Sequence, residues 1–181
     1  MSRLKSVTPE QLLARAHTTV TRAGVLVFNA LQGSHLTPKL LRWAALRAWG
    51  VQAATHQISH GCWFGGSRVA IGAGTYVNFG CVFDNLAPVS IGARCDIGMR
   101  TMFVTSTHEV GPAERRAGPL AGKPVVVEDG CWIGAGATIL PGVTVRAGCI
   151  VASGAIVTKD CEPNGLYAGS PARRVRELDP A

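Results

Sequence analysis

The sequence predicts an all-β solenoid with a helical hairpin before it and a capping tail behind it. Three observations carry this. Written in sixes, residues 127–161 read VEDGCW, IGAGAT, ILPGVT, VRAGCI, VASGAI, VTKDC, and Val127, Ile133, Ile139, Val145, Val151 and Val157 recur without a slip. A period of six is neither a helix face nor a strand face, so it marks a unit repeated along an axis. The 22 glycines and the low charged fraction, 16%, suit a coil with tight corners and a buried aliphatic stack. Residues 1–52 lack the repeat and carry helix signals instead.

The helices come first. Thr8-Pro9 followed by Gln11 reads as an N-cap, a proline at the first helical position and a capping-box partner. A helix from about Pro9 to Gln32 would bury Leu12, Leu13, Ala16, Val20, Val27 and Leu31 and stop at Gly33. Thr37-Pro38 repeats the start signal for a second helix to about Trp49, ended by Gly50. It carries Leu40, Leu41, Trp43, Ala44, Leu46 and Trp49 with Lys39, Arg42 and Arg47. Two placements stay open. The hairpin packs on the first coils or on a neighbouring subunit, or it rests as a basic amphipathic surface on anionic lipid.

The solenoid is expected over residues 53–162. Its repeat begins loosely at Ile58, firms at Ile71 and Val77, and restarts two residues out of step at Ile91, Ile97 and Phe103. Three blocks make one triangular turn, which stacks Ile133 with Val151 and Ile139 with Val157; about five turns result. Over about 109–124 the pattern vanishes into a Gly-, Pro- and Arg-rich stretch, read as a loop thrown out of the coil directly after His108. Residues 163–181 form a basic tail, with Arg173, Arg174 and Arg176, over the open end.

Net charge is +7, which points to an anionic partner. Nucleic acid is set aside, since there is no basic stripe interleaved with aromatics and no zinc signature. A phosphate-rich cofactor or a membrane surface fits the charge as well. Cys62, Cys81, Cys95, Cys131, Cys149 and Cys161 each sit four residues after a β-branched aliphatic, at the small inward position of a block. They are expected to be free, buried and hydrophobic rather than a disulfide or metal framework. With no signal-peptide core and no apolar run long enough to span a bilayer, a cytoplasmic location is expected, with the inner face of the membrane as the variant of it.

Several segments, VNFGC, STH, GCWIGAGATILPGV, GAIVTKD and GLYAGSPARRV, stand together in one register over roughly residues 58–178. In order and spacing they resemble the maltose/galactoside type of hexapeptide-repeat O-acetyltransferase. The resemblance implies a left-handed parallel β-helix, a homotrimer, acetyl-CoA as acyl donor in a groove between neighbouring coils, and no metal. It implies that His108 is the catalytic base, taking a proton from an acceptor hydroxyl as it attacks the thioester carbonyl. Asn78 matches an Asn near the reacting centre, able to orient the acceptor hydroxyl or stabilise the oxyanion, with an internal Asn ladder at a coil corner as the structural alternative. Ala135, Ser153, Thr158 and Lys159 match positions lining the donor groove, with Lys159, Arg173 and Arg176 facing the nucleotide phosphates. Trp132 matches a Trp at the subunit interface or against the donor. The acceptor side departs from the pattern. Asp84 and Asn85 stand where acidic residues are usual, and Phe64 replaces a small polar residue.

The expected activity is thus acetyl transfer to a hydroxyl of a sugar or glycosylated acceptor. A small antibiotic or an amino-sugar amine is the neighbouring reading, and a non-catalytic trimeric scaffold the non-enzymatic one. A zinc lyase on the same coil would need three histidines at coil interfaces, and only His108 stands beyond the first coil.

Overall fold

The computed structural model describes residues 22–180. Two helices, α1 (Arg22–Gly33) and α2 (Lys39–Ala48), precede a three-sided coil. The proposed helix start at Thr8-Pro9, with Leu12, Leu13, Ala16 and Val20, lies outside the described residues. The first side stacks β1 (Gln52–Ala53), β3 (Val69–Ile71), β6 (Val89–Ile91), β11 (Val125–Val127) and β14 (Thr144–Val145). The second stacks β4 (Tyr76–Val77), β7 (Asp96–Ile97), β12 (Trp132–Ile133), β15 (Ile150–Val151) and β17 (Gly165–Gly169). The third stacks β2 (Trp63–Phe64), β5 (Val82–Phe83), β8 (Met102–Phe103), β13 (Thr138–Ile139) and β16 (Ile156–Val157). Neighbouring rungs pair in parallel, with Ile133 opposite Val151 and Ile139 opposite Val157, the register the period of six requires.

Inward side chains form columns. Phe64, Phe83 and Phe103 stack at 4.6 and 5.1 Å between ring centroids, and Ile139 and Val157 continue that column. Phe64 is wholly buried there, so it cannot touch an acceptor; its size fills the first rung of the core. The slip at Ile91 has a structural cause. Ile71 pairs with Ile91 and Phe83 with Phe103, twenty residues apart, and the corner at residues 84–88 absorbs the surplus. The same corner, one rung later, releases a hairpin. The expected loop is a two-stranded antiparallel ribbon, β9 (Ser106–Val110) and β10 (Ala117–Gly122).

All six cysteines are buried and free, and they lie in the inward columns. Several thiols donate to a corner carbonyl of the adjoining turn: Cys95 to Glu128 at 3.1 Å, Cys131 to Arg146 at 3.1 Å and Cys149 to Glu162 at 3.0 Å. Burial pushes the Cys149 thiol up and the Cys161 thiol up to about 12. Hydrogen bonding from a neighbouring thiol lowers Cys95, by Cys131, to about 7 and Cys62, by Cys81, below the usual thiol range, so for these two the protection is burial. With all six at most 2% exposed, none should react with a thiol reagent while the coil is folded. Ellman titration is expected to find six accessible thiols in denaturant and none without it; fast reaction of the native protein would contradict the burial.

Each end of the coil is closed differently. At the far end β17 adds in parallel to β15, and β18 (Ala172–Glu177) turns back antiparallel on β17. At the near end the helices act as a lid made of polar side chains. Asn29 imitates a strand: its Oδ1 accepts from the Phe64 N–H at 2.8 Å and its Nδ2 donates to the Phe64 carbonyl at 2.9 Å. Gln32 Nε2 donates to the Cys62 carbonyl at 2.7 Å and Trp43 Nε1 to the Ala53 carbonyl at 3.0 Å. Backbone edges that would otherwise invite another strand are thereby paired. Arg42 is 2% exposed and has no carboxylate partner among the described residues. Its guanidinium donates to the carbonyls of Gln32 (2.7 Å), Ser34 (2.9 Å), Thr37 (2.8 Å) and Ile58 (3.3 Å).

This lid corrects one sequence expectation. The apolar pattern places Val27 and Leu31 in the core, but both are exposed, and α1 instead turns Phe28, Asn29 and Gln32 inward. The open rung presents unpaired backbone groups, and amide side chains satisfy these where leucines cannot.

Candidate active site

His108 stands on β9, solvent-exposed, opposite Leu120 of β10. Its Nδ1 lies 2.8 Å from the Gly118 carbonyl oxygen. A carbonyl only accepts, so this bond assigns the proton to Nδ1 and leaves Nε2 with its lone pair free in the neutral ring. That is the tautomer a general base needs. Gly118 was not legible as a partner, because it sits among the glycines and prolines of a stretch without pattern.

The ribbon is anchored at its root. Asp84 Oδ2 accepts from the Thr105 N–H at 3.0 Å, the Ser106 N–H at 2.7 Å and the Ser106 hydroxyl at 2.5 Å. Buried Thr105 donates its hydroxyl to the Asp84 carbonyl at 2.6 Å, and its own carbonyl accepts from the Lys123 N–H at 2.9 Å. One carboxylate oxygen therefore fixes the strand two residues before His108. The other, Oδ1, has no partner among the described residues. Asn85, expected beside the acceptor, is 7% exposed and spends its amide on the chain. Its Oδ1 accepts from the Arg68 N–H at 2.7 Å, and its Nδ2 donates to the carbonyls of Arg68 and Ala87 at 2.8 and 3.2 Å. It ties two successive corners together.

Asn78 occupies the corner between the second and third sides. Its Oδ1 accepts from the Phe79 N–H at 2.8 Å, while Nδ2 has no protein acceptor among the described residues. Ala135 and Ser153 follow in the same corner column, where the Ala135 carbonyl accepts from the Gly154 N–H at 2.8 Å. Gly134 explains the small size of this corner, since a Cβ there would lie 2.4 Å from the Ser153 nitrogen. His108, Asp84, Thr158 and Lys159 belong instead to the corner between the third and first sides. Within one protomer, Asn78 and His108 thus stand at opposite edges of the third side.

Arg173 and Arg176 are exposed on β18, and Lys159 is exposed on the other corner. None of these three cations is in an ion pair among the described residues, unlike Arg94, Arg146 and Arg174. Free cations and small corner residues fit a phosphate-bearing thioester with a slender arm, though one protomer does not gather all of them in one place. Trp132 is 57% exposed on the outer surface of the second side, where it pairs with Asp96 and Ile150. No group of His, Cys, Asp and Glu that could hold a metal occurs among the described residues.

The family description "Hexapeptide repeat of succinyl-transferase" matches residues 124–159. Nodulation protein L of Rhizobium meliloti is 50% identical over 108 residues, covering 60% of this chain and 59% of that protein. The chain's match spans about 60% of the length of the curated relatives. A solved hexapeptide-repeat acetyltransferase of Vibrio cholerae, complexed with acetyl-CoA, is 30% identical with a TM-score of 0.74, covering 96% of this chain and 91% of that one. The chain belongs to the hexapeptide-repeat acetyltransferase family. With the family comes the left-handed sense of the coil. A solved maltose O-acetyltransferase of Clostridium difficile is 25% identical with a TM-score of 0.75, covering 94% of this chain and 90% of that one.

Proposed function

We propose that the protein is an acetyl-CoA-dependent O-acetyltransferase acting on a hydroxyl of a sugar or glycosylated acceptor, with His108 as general base. The observation that carries this is the His108–Gly118 bond, which holds an exposed ring in the base-competent tautomer on an anchored ribbon. His108 Nε2 takes the acceptor's hydroxyl proton as that oxygen attacks the thioester carbonyl. It then returns the proton to the departing thiolate, so the C–S bond breaks as the C–O bond forms and no redox partner is needed. The free Nδ2 of Asn78 supports a role in stabilising charge on the carbonyl oxygen. The unpartnered Oδ1 of Asp84 supports acceptor contact. Since Asn78 and His108 lie on different corners, the reading requires a second copy alongside, as in a homotrimer, to bring the two corners together. Ala135, Ser153 and Thr158 would then line the donor arm, with Lys159, Arg173 and Arg176 beside the phosphates. Six unpaired thiols fit a reducing cytoplasm.

Calorimetric titration with acetyl-CoA tests the donor. The expected result is one site per subunit, with affinity falling as salt rises because charge at the phosphates contributes. Absence of binding by acetyl-CoA and by longer acyl-CoAs would leave a trimeric scaffold as the better reading. A monomer in solution would remove the composite site.

A further inference from the structure

The two helices of the lid leave most of their leucines on the outside. Their inward faces bury apolar Phe28 and Leu46 beside Asn29, Gln32 and Arg42, and these three polar side chains hydrogen-bond to the first rung. Their outward faces carry Leu26, Val27, Leu31, Leu40 and Leu41, each at least 59% exposed, and the turn between them adds Leu36 at 92%. On α1 the outward set recurs at 23, 26, 27, 30 and 31, the spacing of a helix stripe. Amphipathic surface helices normally keep such residues on the buried face, and a contiguous exposed apolar patch marks an interaction surface.

The charge around the patch selects what covers it. Residues 11–83 contain no Asp or Glu. Within the described part of that stretch lie Arg22, Lys39, Arg42, Arg47 and Arg68, and residues 1–21 add Arg3, Lys5 and Arg15 against the single acid Glu10. Lys39 and Arg47 are exposed on α2 itself, Lys39 with its amine 5.9 Å from the Tyr76 ring and Arg47 5.0 Å from the Trp43 ring. Ten of the eleven acids fall at Asp84 or later. A second copy meeting this face with its own would set cation against cation with no acid on either side. A surface that is apolar inside and anionic outside answers both features.

We propose that the helical end of the coil docks on an anionic lipid bilayer, with the outward leucines entering the acyl boundary and Lys39 and Arg47 at the headgroups. Neither helix crosses the membrane, as no described helix is long and apolar enough. Docking through the helices does not use the corners of His108 and Asn78.

The test is cosedimentation of the full chain with vesicles of phosphatidylglycerol and phosphatidylcholine, against vesicles of phosphatidylcholine alone. The expected result is binding to the anionic vesicles, weakened but not abolished by high salt. The double variant Leu31→Gln, Leu40→Gln should lower partitioning about tenfold, while Lys39→Gln, Arg47→Gln should remove the preference for anionic lipid. Unchanged melting temperature and oligomeric state in the leucine variant show that it is folded. Failure of the parent protein to bind anionic vesicles overturns the proposal and means the face is covered by residues 1–21 or by another copy. Equal binding by parent and leucine variant also overturns it, because the basic strand β18 would then be the contact. Dissociation of the leucine variant into smaller species, with no vesicle binding by the parent, assigns the face to self-association.

Discussion

Replacing His108 by alanine is expected to lower kcat by about 10²–10⁴-fold while leaving acetyl-CoA affinity unchanged. The ring reaches no donor-groove residue within its own protomer, and its one intramolecular bond is to the Gly118 carbonyl. Removing it takes away the proton acceptor without disturbing the coil. His108→Gln is expected to fare no better, because an amide keeps a hydrogen bond to Gly118 but offers no base of comparable strength. The root of the ribbon gives a companion result. Asp84→Asn replaces a charged acceptor of three hydrogen bonds by a neutral one. A strand set loosely two residues from the base should cost about 10–100-fold in kcat, with KM for acetyl-CoA unmoved. A purely structural Asp84 would lower the melting temperature and leave kcat per folded molecule intact. Full turnover by His108→Ala with any accepted hydroxyl would sink the general-base mechanism.

The largest effect on stability is expected at Arg42. Arg42→Leu removes the guanidinium donor from the carbonyls of Gln32, Thr37 and Ile58 and one of two donors from that of Ser34, in a largely buried junction. The loss should be about 3–5 kcal/mol, or about 10 °C in melting temperature for a chain of this size. Arg42→Lys should recover only part of this, since an ammonium cannot fan out to four carbonyls at fixed angles. The measurement is a thermal melt of the parent and both variants by circular dichroism. If the Arg42→Leu variant melted within about 2 °C of the parent, water would be replacing the guanidinium at little cost. The consequence reaches beyond stability. With the lid detached, Trp63–Phe64 becomes an open strand edge, and the variant should aggregate on heating where the parent does not.

The candidate site was proposed from signals that are local. His108 was singled out because it closes the patterned part of the coil just before the pattern fails and matches the catalytic position of the resembling family. Lys159, Arg173 and Arg176 were singled out by the resemblance, as matches to basic positions beside the phosphates. The tasks of Asp84 and Asn85 were not legible. Both carry the polar chemistry of an acceptor site, and adjacent in sequence they look alike. One points its carboxylate at the backbone of Thr105 and Ser106, while the other turns its amide back to Arg68. That division depends on the corner path of residues 84–88, which departs from the repeat. Phe64 misled for the same reason in reverse: the first rung needs bulk in its core, and no neighbouring repeat declares that need.

The coil, its rise of three blocks per turn, the inward column of thiols and the place where the ribbon leaves are all written in the order of the residues. They follow from a strict period, since each block meets the same environment as the block eighteen residues on, and one misplaced side chain would break the stack. The orientation of the helices is not written there and was settled by packing. A stripe of leucines on α1 states that one face is apolar and says nothing of what that face meets. The first rung presented backbone donors and acceptors, Asn29, Gln32 and Arg42 answered them, and the leucines were turned outward. Hydrogen bonds are directional and apolar burial is not, so at the end of a solenoid the unpaired backbone decides which face turns in.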